Sequence, residues 1–182
     1  EQGFTNYTAA SGIKELKRAV VKDFKSNKQV NYQPEQVIVS SGAKYSLFLA
    51  LQALVEAGDE VILPAPYWVS YPEQIKFAGG EFVPVDTGAD FKLTASRLRQ
   101  AVTKQTTVVI LNSPSNPTGA VYSKEELAEI AEVVIDKDLM VVADEIYSKL
   151  SYEQPAVSIA ALSEELKQRT VIIDGVSKAY AM

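Results

Sequence analysis

Four short polar segments carry the side chains best suited to chemistry, and each follows an apolar run that contains Val or Ile. The segments are 40–44 (SSGAK), 112–119 (NSPSNPTG), 144–147 (DEIY) and 174–178 (DGVSK). The whole sequence contains no His and no Cys. Acid–base chemistry must therefore come from Lys, Asp, Glu or Tyr, or from a bound cofactor. The same absences exclude Ser-His-Asp catalysis, thiolate nucleophiles and metal sites built on His or Cys, so we expect no metal site.

The apolar runs predict strands that alternate with helices along the whole chain. The predicted strands are 37–40, 60–63, 81–85, 107–111, 139–143 and 170–174. These runs are apolar on both faces, which is typical of strands covered on both sides. Between them, Ser123 and Glu126 form a capping box for one helix, and a nearly all-apolar helix is predicted over 43–56. The alternation predicts an α/β domain with three layers (α/β/α) and a mainly parallel sheet.

Ligands of open α/β sheets collect at the carboxyl ends of the strands, and all four polar segments are predicted to lie there. Each segment alone has an ordinary structural explanation. Ser-Gly before a helix is a cap and a turn, Asn-Pro-Thr-Gly is a turn, an Asp after a strand caps the next helix, and a lone Lys is solvated. Their occurrence together on one edge of the sheet favours a single binding site.

Six motifs give the sequence a resemblance to a known family. They are 6–12 (NYTAASG), 41–44 (SGAK), 66–72 (PYWVSYP), 112–119 (NSPSNPTG), 144–147 (DEIY) and 177–182 (SKAYAM). In this order they resemble the large domain of the class I/II (fold-type I) pyridoxal-phosphate aminotransferases. The aspartate/aromatic aminotransferase branch is the most similar, and the resemblance covers essentially the whole chain.

The resemblance implies that the cofactor is pyridoxal 5'-phosphate and assigns the catalytic residues. Lys178 matches the lysine that forms a Schiff base with the cofactor and moves the substrate proton. Asp144 matches the carboxylate that keeps the cofactor's ring nitrogen protonated. Tyr147 and Asn116 match the pair that donates to the phenolic oxygen. The resemblance also implies a cis peptide before Pro117.

Further residues are assigned to cofactor binding by the same resemblance. Trp68 supplies a stacking face, and Gly42, Ala43 and Lys44 open a helix whose N-terminus binds the phosphate. Tyr7 matches a residue that reaches the phosphate bound to the neighbouring subunit, so we expect a homodimer.

The resemblance implies that residues 1–182 are an incomplete pyridoxal-phosphate-binding large domain. The family's N-terminal arm and its C-terminal small domain, which carries the arginine for the substrate's α-carboxylate, are expected to be absent. The family's arginine that follows the lysine motif and pairs with the phosphate is expected to be absent too. Gly175 replaces a phosphate-binding Ser found in some relatives. We therefore expect a folded fragment with weak or no bound cofactor and negligible activity.

The predicted function is transamination between an amino acid and a 2-oxo acid, as in aspartate aminotransferase, and Lys44 is a weak hint toward dicarboxylic substrates. Two alternatives stay open. One is a pyridoxal-phosphate-dependent lyase or synthase on the same fold. The other is the cofactor-binding effector domain of a transcription regulator, which would need a DNA-binding domain upstream. A nucleotide-binding protein is disfavoured because neither glycine-rich phosphate motif is present.

Charge and hydropathy argue against two classes of partner. The formal net charge is −5, and no stripe of Lys and Arg could follow a nucleic-acid backbone. No apolar run approaches the roughly 20 residues of a membrane span. We expect a cytoplasmic enzyme that binds neither nucleic acid nor membrane.

Overall fold

A computed structural model describes residues 5–182, and its centre is a five-stranded sheet. The strands are β1 (Glu60–Ala65), β2 (Glu81–Asp86), β3 (Thr106–Asn112), β4 (Met140–Asp144) and β5 (Thr170–Ile173). Their order is β2-β1-β3-β4-β5, and every neighbouring pair is parallel. All the strand carboxyl ends therefore lie at one edge.

Within the described residues, seven α-helices connect or flank the strands. They are α1 (Lys14–Asp23), α2 (Ala43–Leu54), α3 (Ser70–Phe77), α4 (Ala95–Ala101), α5 (Lys124–Asp136), α6 (Glu164–Arg169) and α7 (Ser177–Tyr180). A π-helical turn (Phe24–Lys28) extends α1, and 3-10 turns occupy Pro34–Gln36, Ser148–Leu150 and Ile159–Ala161. Within 5–182, no helix has the length and apolar character needed to cross a membrane.

The start of α5 shows how local sequence sets these elements. The Ser123 hydroxyl accepts from the Glu126 backbone N–H at 3.2 Å, and the Glu126 carboxylate accepts from the Ser123 N–H at 2.7 Å. This reciprocal pair is the predicted capping box, and it satisfies two N–H groups that a helix start leaves free. The apolar stripe that follows is buried against the sheet.

Both faces of the sheet are covered by helices. Along β3, Val109 and Leu111 join a core cluster with α4 and α5, whereas Val108 and Ile110 join a second cluster with α2 and α3. Successive strand residues point to opposite faces, so the two clusters lie on opposite sides of one sheet. This confirms the predicted three-layer α/β/α architecture.

The predicted first strand, 37–40, was wrong. This segment is irregular, pairs with no strand of the described sheet and leaves the Ile38 side chain 68% exposed. Its backbone is held instead by a 3.0 Å bond from the Val39 N–H to the Ser11 carbonyl. A side chain on Gly12 would meet Val39 at 2.7 Å, so the two segments pack closely. An apolar run forms a strand only where it can pair with another strand, and 37–40 pairs with none among the described residues.

Candidate active site

The carboxyl ends of β3 and β4 are tied together by backbone and amide groups. Asn112 and Asp144 are partners in the strand register. The Asp144 carbonyl accepts from the Asn112 side chain at 2.9 Å, and the Asn112 side-chain oxygen accepts from the Asn116 N–H at 2.7 Å. The 112–116 loop is thereby held over the end of β4. The Asn116–Pro117 peptide is cis, as predicted.

Asp144 is a buried carboxylate at the end of β4, only 4% exposed. One oxygen accepts from the Tyr71 hydroxyl at 2.6 Å, and the other accepts from the Ile146 N–H at 3.3 Å. No ion pair reaches Asp144 from any described residue. Burial raises the pKa of this carboxyl, and the Tyr71 hydrogen bond only partly opposes that effect. The site thus contains a desolvated carboxylate whose charge no cation of residues 5–182 balances.

Aromatic contacts connect Asp144 to the start of α2. The rings of Trp68 and Tyr71 meet edge to face, with centroids 5.4 Å apart. The Lys44 ammonium lies 4.9 Å from the centroid of the Trp68 ring. Tyr71 and Asn116 also line one cleft, whose other walls include Tyr67 and Tyr122. Residues from α2, α3, β3 and β4 are therefore close together.

The N-terminus of α2 is suited to an anion. Gly42 precedes the helix with φ 88° and ψ 160°, a conformation that is open essentially only to glycine. A side chain at this position would meet nothing within 4 Å, so the approach to the backbone is open. The first turn contains no acidic residue. The Gly42 and Tyr45 N–H groups donate to the Ser40 and Gly42 carbonyls, so the N–H groups of Ala43 and Lys44 are the ones left for a ligand. Such groups at a helix start carry partial positive charge.

Lys178 lies on the short helix α7, which follows β5. Its side chain is exposed, and the ammonium lies 5.9 Å from the centroid of the half-buried Tyr147 ring. Tyr147 directly follows Ile146, whose N–H binds the Asp144 carboxylate. A primary amine, a phenol and a buried carboxylate thus occupy adjacent strand ends.

These features can be compared with known proteins. The sequence model of the class I and II aminotransferases matches residues 1–182. The chain belongs to this family. It is 50% identical to the aspartate aminotransferase of Geobacillus stearothermophilus and 47% identical to that of Bacillus sp. (strain YM-2), over 100% of this chain and 47% of each relative. The structure of the Thermus thermophilus aspartate aminotransferase with maleate superposes with a TM-score of 0.95 at 42% identity, over 100% of this chain and 47% of that one.

The chain spans about half the length of the curated relatives it matches. Within this chain, nearly all the residues predicted for the site lie at the carboxyl edge of the sheet. They are Gly42, Ala43, Lys44, Trp68, Asn116, Asp144, Tyr147 and Lys178. The segment 40–44 reaches this edge from a loop and not from the predicted strand. Tyr7 lies outside the group, and its side chain is fully exposed.

Sequence reasoning missed the residue that holds Asp144. Tyr71 lies inside the 66–72 motif, yet only Trp68 was assigned a role there. The neighbours of Tyr71 could have indicated its role. A Tyr within an apolar helix face is expected to be buried, and its hydroxyl then needs a hydrogen-bond partner. It also missed Lys28, which lies beside the same strand ends and is 7% exposed.

Proposed function

We propose that the protein is a pyridoxal-phosphate-dependent aminotransferase that moves an amino group between aspartate and a 2-oxo acid. The observation that carries this proposal is Asp144, a buried carboxylate with hydrogen-bond donors but no cation among residues 5–182. A buried charge without a counter-charge is costly, so a protonated ring nitrogen is a fitting ligand. Membership of the family and the names of the two relatives support the substrate.

The groups present fit the chemistry of pyridoxal phosphate. Lys178 provides the primary amine for the aldehyde, and Tyr147 and Asn116 provide donors for the phenolic oxygen. Trp68 provides an aromatic surface for the ring. The α2 N-terminus at Gly42 provides N–H groups for the phosphate. When bound, the cofactor supplies an electron sink for the substrate's α-carbon.

The protein's own residues hold and move protons around that sink. Asp144 holds a proton at the ring nitrogen because its buried carboxylate gains a counter-charge by doing so. Lys178 moves a proton at the substrate's α-carbon, since its exposed amine lies at this edge beside Tyr147, 5.9 Å from the centroid of that ring. Tyr147 orients the phenolic oxygen by donating a hydrogen bond from its hydroxyl group.

Domain organisation and assembly follow from the same proposal. Residues 1–182 form the cofactor-binding large domain, and the parts that bind the substrate's α-carboxylate lie elsewhere in the whole protein. Tyr7, which is fully exposed, reaches the phosphate site of a second copy, so the active protein is a homodimer. The cytoplasmic location stays a prediction.

Covalent trapping tests the proposal. The full-length protein is incubated with pyridoxal phosphate, reduced with borohydride and mapped by peptide mass spectrometry. We expect the adduct on Lys178 and its loss in Lys178→Arg. An adduct on Lys44 or Lys149 instead would show that the assignment is wrong.

A product assay tests the reaction itself. With aspartate and 2-oxoglutarate, we expect oxaloacetate and glutamate in equal amounts. Release of ammonia without glutamate would point to a lyase on the same fold.

A further inference from the structure

A buried ionic cluster lies beside the site and is not used in the proposed reaction. Lys28 ends the π-helical turn after α1 and is 7% exposed. Its ammonium is 2.7 Å from a Glu145 carboxylate oxygen, 3.1 Å from an Asp174 carboxylate oxygen and 3.1 Å from the Ser148 hydroxyl. We call these four residues the Lys28 cluster.

The two carboxylates of the Lys28 cluster belong to the strand ends that carry the proposed catalytic groups. Glu145 directly follows Asp144 at the end of β4, and its N–H donates to the Ile173 carbonyl of β5 at 2.8 Å. Asp174 directly follows β5 and begins the loop that leads to Lys178. One cation therefore links the end of β4 to the start of that loop.

Asp174 also shapes the loop itself. Its second carboxylate oxygen accepts from the Gly175 N–H at 2.7 Å, so one side chain binds both Lys28 and the loop backbone. Beyond it, Val176 and Lys178 are exposed. The far end of α7 is held by the contact between Tyr180 and Lys149. The backbone before Lys178 is thus anchored mainly by Asp174.

The charges explain why Lys28 is needed for that anchor. Burial alone would lower the pKa of Lys28, but Glu145 and Asp174 together raise it, so the ammonium keeps its charge. Without this cation, two carboxylates would face each other in a buried space near Asp144. Like charges in such a space repel strongly, and Asp174, the more exposed of the two, would move away.

We propose that Lys28 is a positioning residue for Lys178: by holding Asp174 against Glu145, it sets the loop from which the Lys178 amine reaches the cofactor. This inference rests on the proposed function. It concerns the covalent bond to Lys178 specifically, because within residues 5–182 no hydrogen bond, ion pair or ring contact joins Trp68 or the α2 N-terminus to the Lys28 cluster.

Two forms of the cofactor separate positioning from general stability. Pyridoxal 5'-phosphate bonds covalently to an amine, whereas pyridoxamine 5'-phosphate has no aldehyde and cannot. Dissociation constants of both are measured for the full-length protein, Lys28→Met and Asp174→Asn. The control is Lys92→Met, which breaks a Lys–Glu pair with a 2.8 Å contact on the surface.

We expect the dissociation constant for pyridoxal phosphate to rise by about tenfold or more in both variants, which corresponds to ~1.4 kcal/mol. The constant for pyridoxamine phosphate should stay within about twofold, and Lys92→Met should change neither. Asp174→Asn keeps the buried pair of Lys28 and Glu145, so it decides the question if Lys28→Met does not fold.

Equal weakening of both ligands would show that the cluster only supports the fold, and no weakening would show that it has no role; either result overturns the inference. A full-length protein that binds neither ligand would instead refute the proposed function. Binding of pyridoxal phosphate without an adduct on Lys178 would refute the assignment of that lysine.

Discussion

Replacing Tyr71 with Phe removes one oxygen atom from the core and leaves the ring in place. The side chain is 2% exposed, and its hydroxyl lies 2.6 Å from the Asp144 carboxylate. The edge-to-face contact with Trp68 needs only the ring. The variant therefore tests one hydrogen bond without creating a cavity of consequence.

The expected loss of stability in Tyr71→Phe follows from the charge of the acceptor, the Asp144 carboxylate. Hydrogen bonds to charged groups contribute about 1.5–3 kcal/mol to the free energy of unfolding. For a domain of 150–250 residues, each kcal/mol shifts Tm by about 2–4 °C. We therefore expect Tyr71→Phe to lower Tm by about 3–12 °C near neutral pH.

The loss of stability in Tyr71→Phe should depend on pH. Burial raises the pKa of folded Asp144 above its unfolded value, so ionising it costs stability as the pH rises through the folded pKa. The Tyr71 bond lowers that pKa, and its loss raises the pKa further. The difference between wild type and variant is therefore largest where Asp144 is ionised in both. It shrinks at acid pH, where both bind the proton.

Urea unfolding over an acid-to-neutral pH series measures this difference. Tyr122→Phe is the matched control, since Tyr122 is 4% exposed and its hydroxyl oxygen accepts from an uncharged group, the Leu93 N–H, at 2.7 Å. The loss of stability in Tyr122→Phe should not change with the ionisation of Asp144. If Tyr71→Phe costs the same at every pH, or costs nothing, the bond does not stabilise an ionised Asp144 and the reasoning fails.

Two further predictions concern the site. Asp144→Asn should reduce turnover at saturating substrate by more than about tenfold, or roughly 1.4 kcal/mol of barrier. The cofactor-free variant should unfold at the same or a higher temperature at neutral pH, because a buried charge is removed. A smaller loss of turnover would mean that Asp144 serves mainly as a turn-forming residue. Gly42→Ala should lower the free energy of unfolding, measured in urea, by about 1–3 kcal/mol. The reason is that φ 88° strains any residue with a side chain, even though space around Gly42 is free. An unchanged unfolding midpoint would contradict this.

The strands could be predicted closely where an apolar run in the sequence is also buried on both faces of the sheet. The run 107–111 predicts β3, which is Thr106–Asn112, since both of its faces meet helices and every residue from Val108 to Leu111 is buried. The run 37–40 looks similar in sequence, but whether such a run becomes a strand depends on a neighbouring edge. That information is not local, and the prediction failed there.

The candidate site was predictable as a set of motifs but not as a set of partners. Tyr71 binds Asp144 across 73 positions of sequence, and Lys28 binds Glu145 across 117. Lys28 lies between Asn27 and Gln29, where a lysine is expected to be solvated. Only the packing of the turn after α1 against β4 and β5 makes it a buried cation.

Asp144 and Glu145 are adjacent carboxylates with opposite electrostatic surroundings. Glu145 is balanced by Lys28 at 2.7 Å, whereas Asp144 receives only the hydroxyl of Tyr71 and the N–H of Ile146. Burial raises the pKa of both carboxyls, and the Lys28 ammonium opposes this at Glu145, whereas only hydrogen bonds from neutral donors oppose it at Asp144. A cationic ring nitrogen beside Asp144 would lower that pKa and recover the free energy lost to desolvation. The pair thus separates two tasks, since Glu145 joins two strands through a cation of the protein, and Asp144 is free to bind one from a ligand.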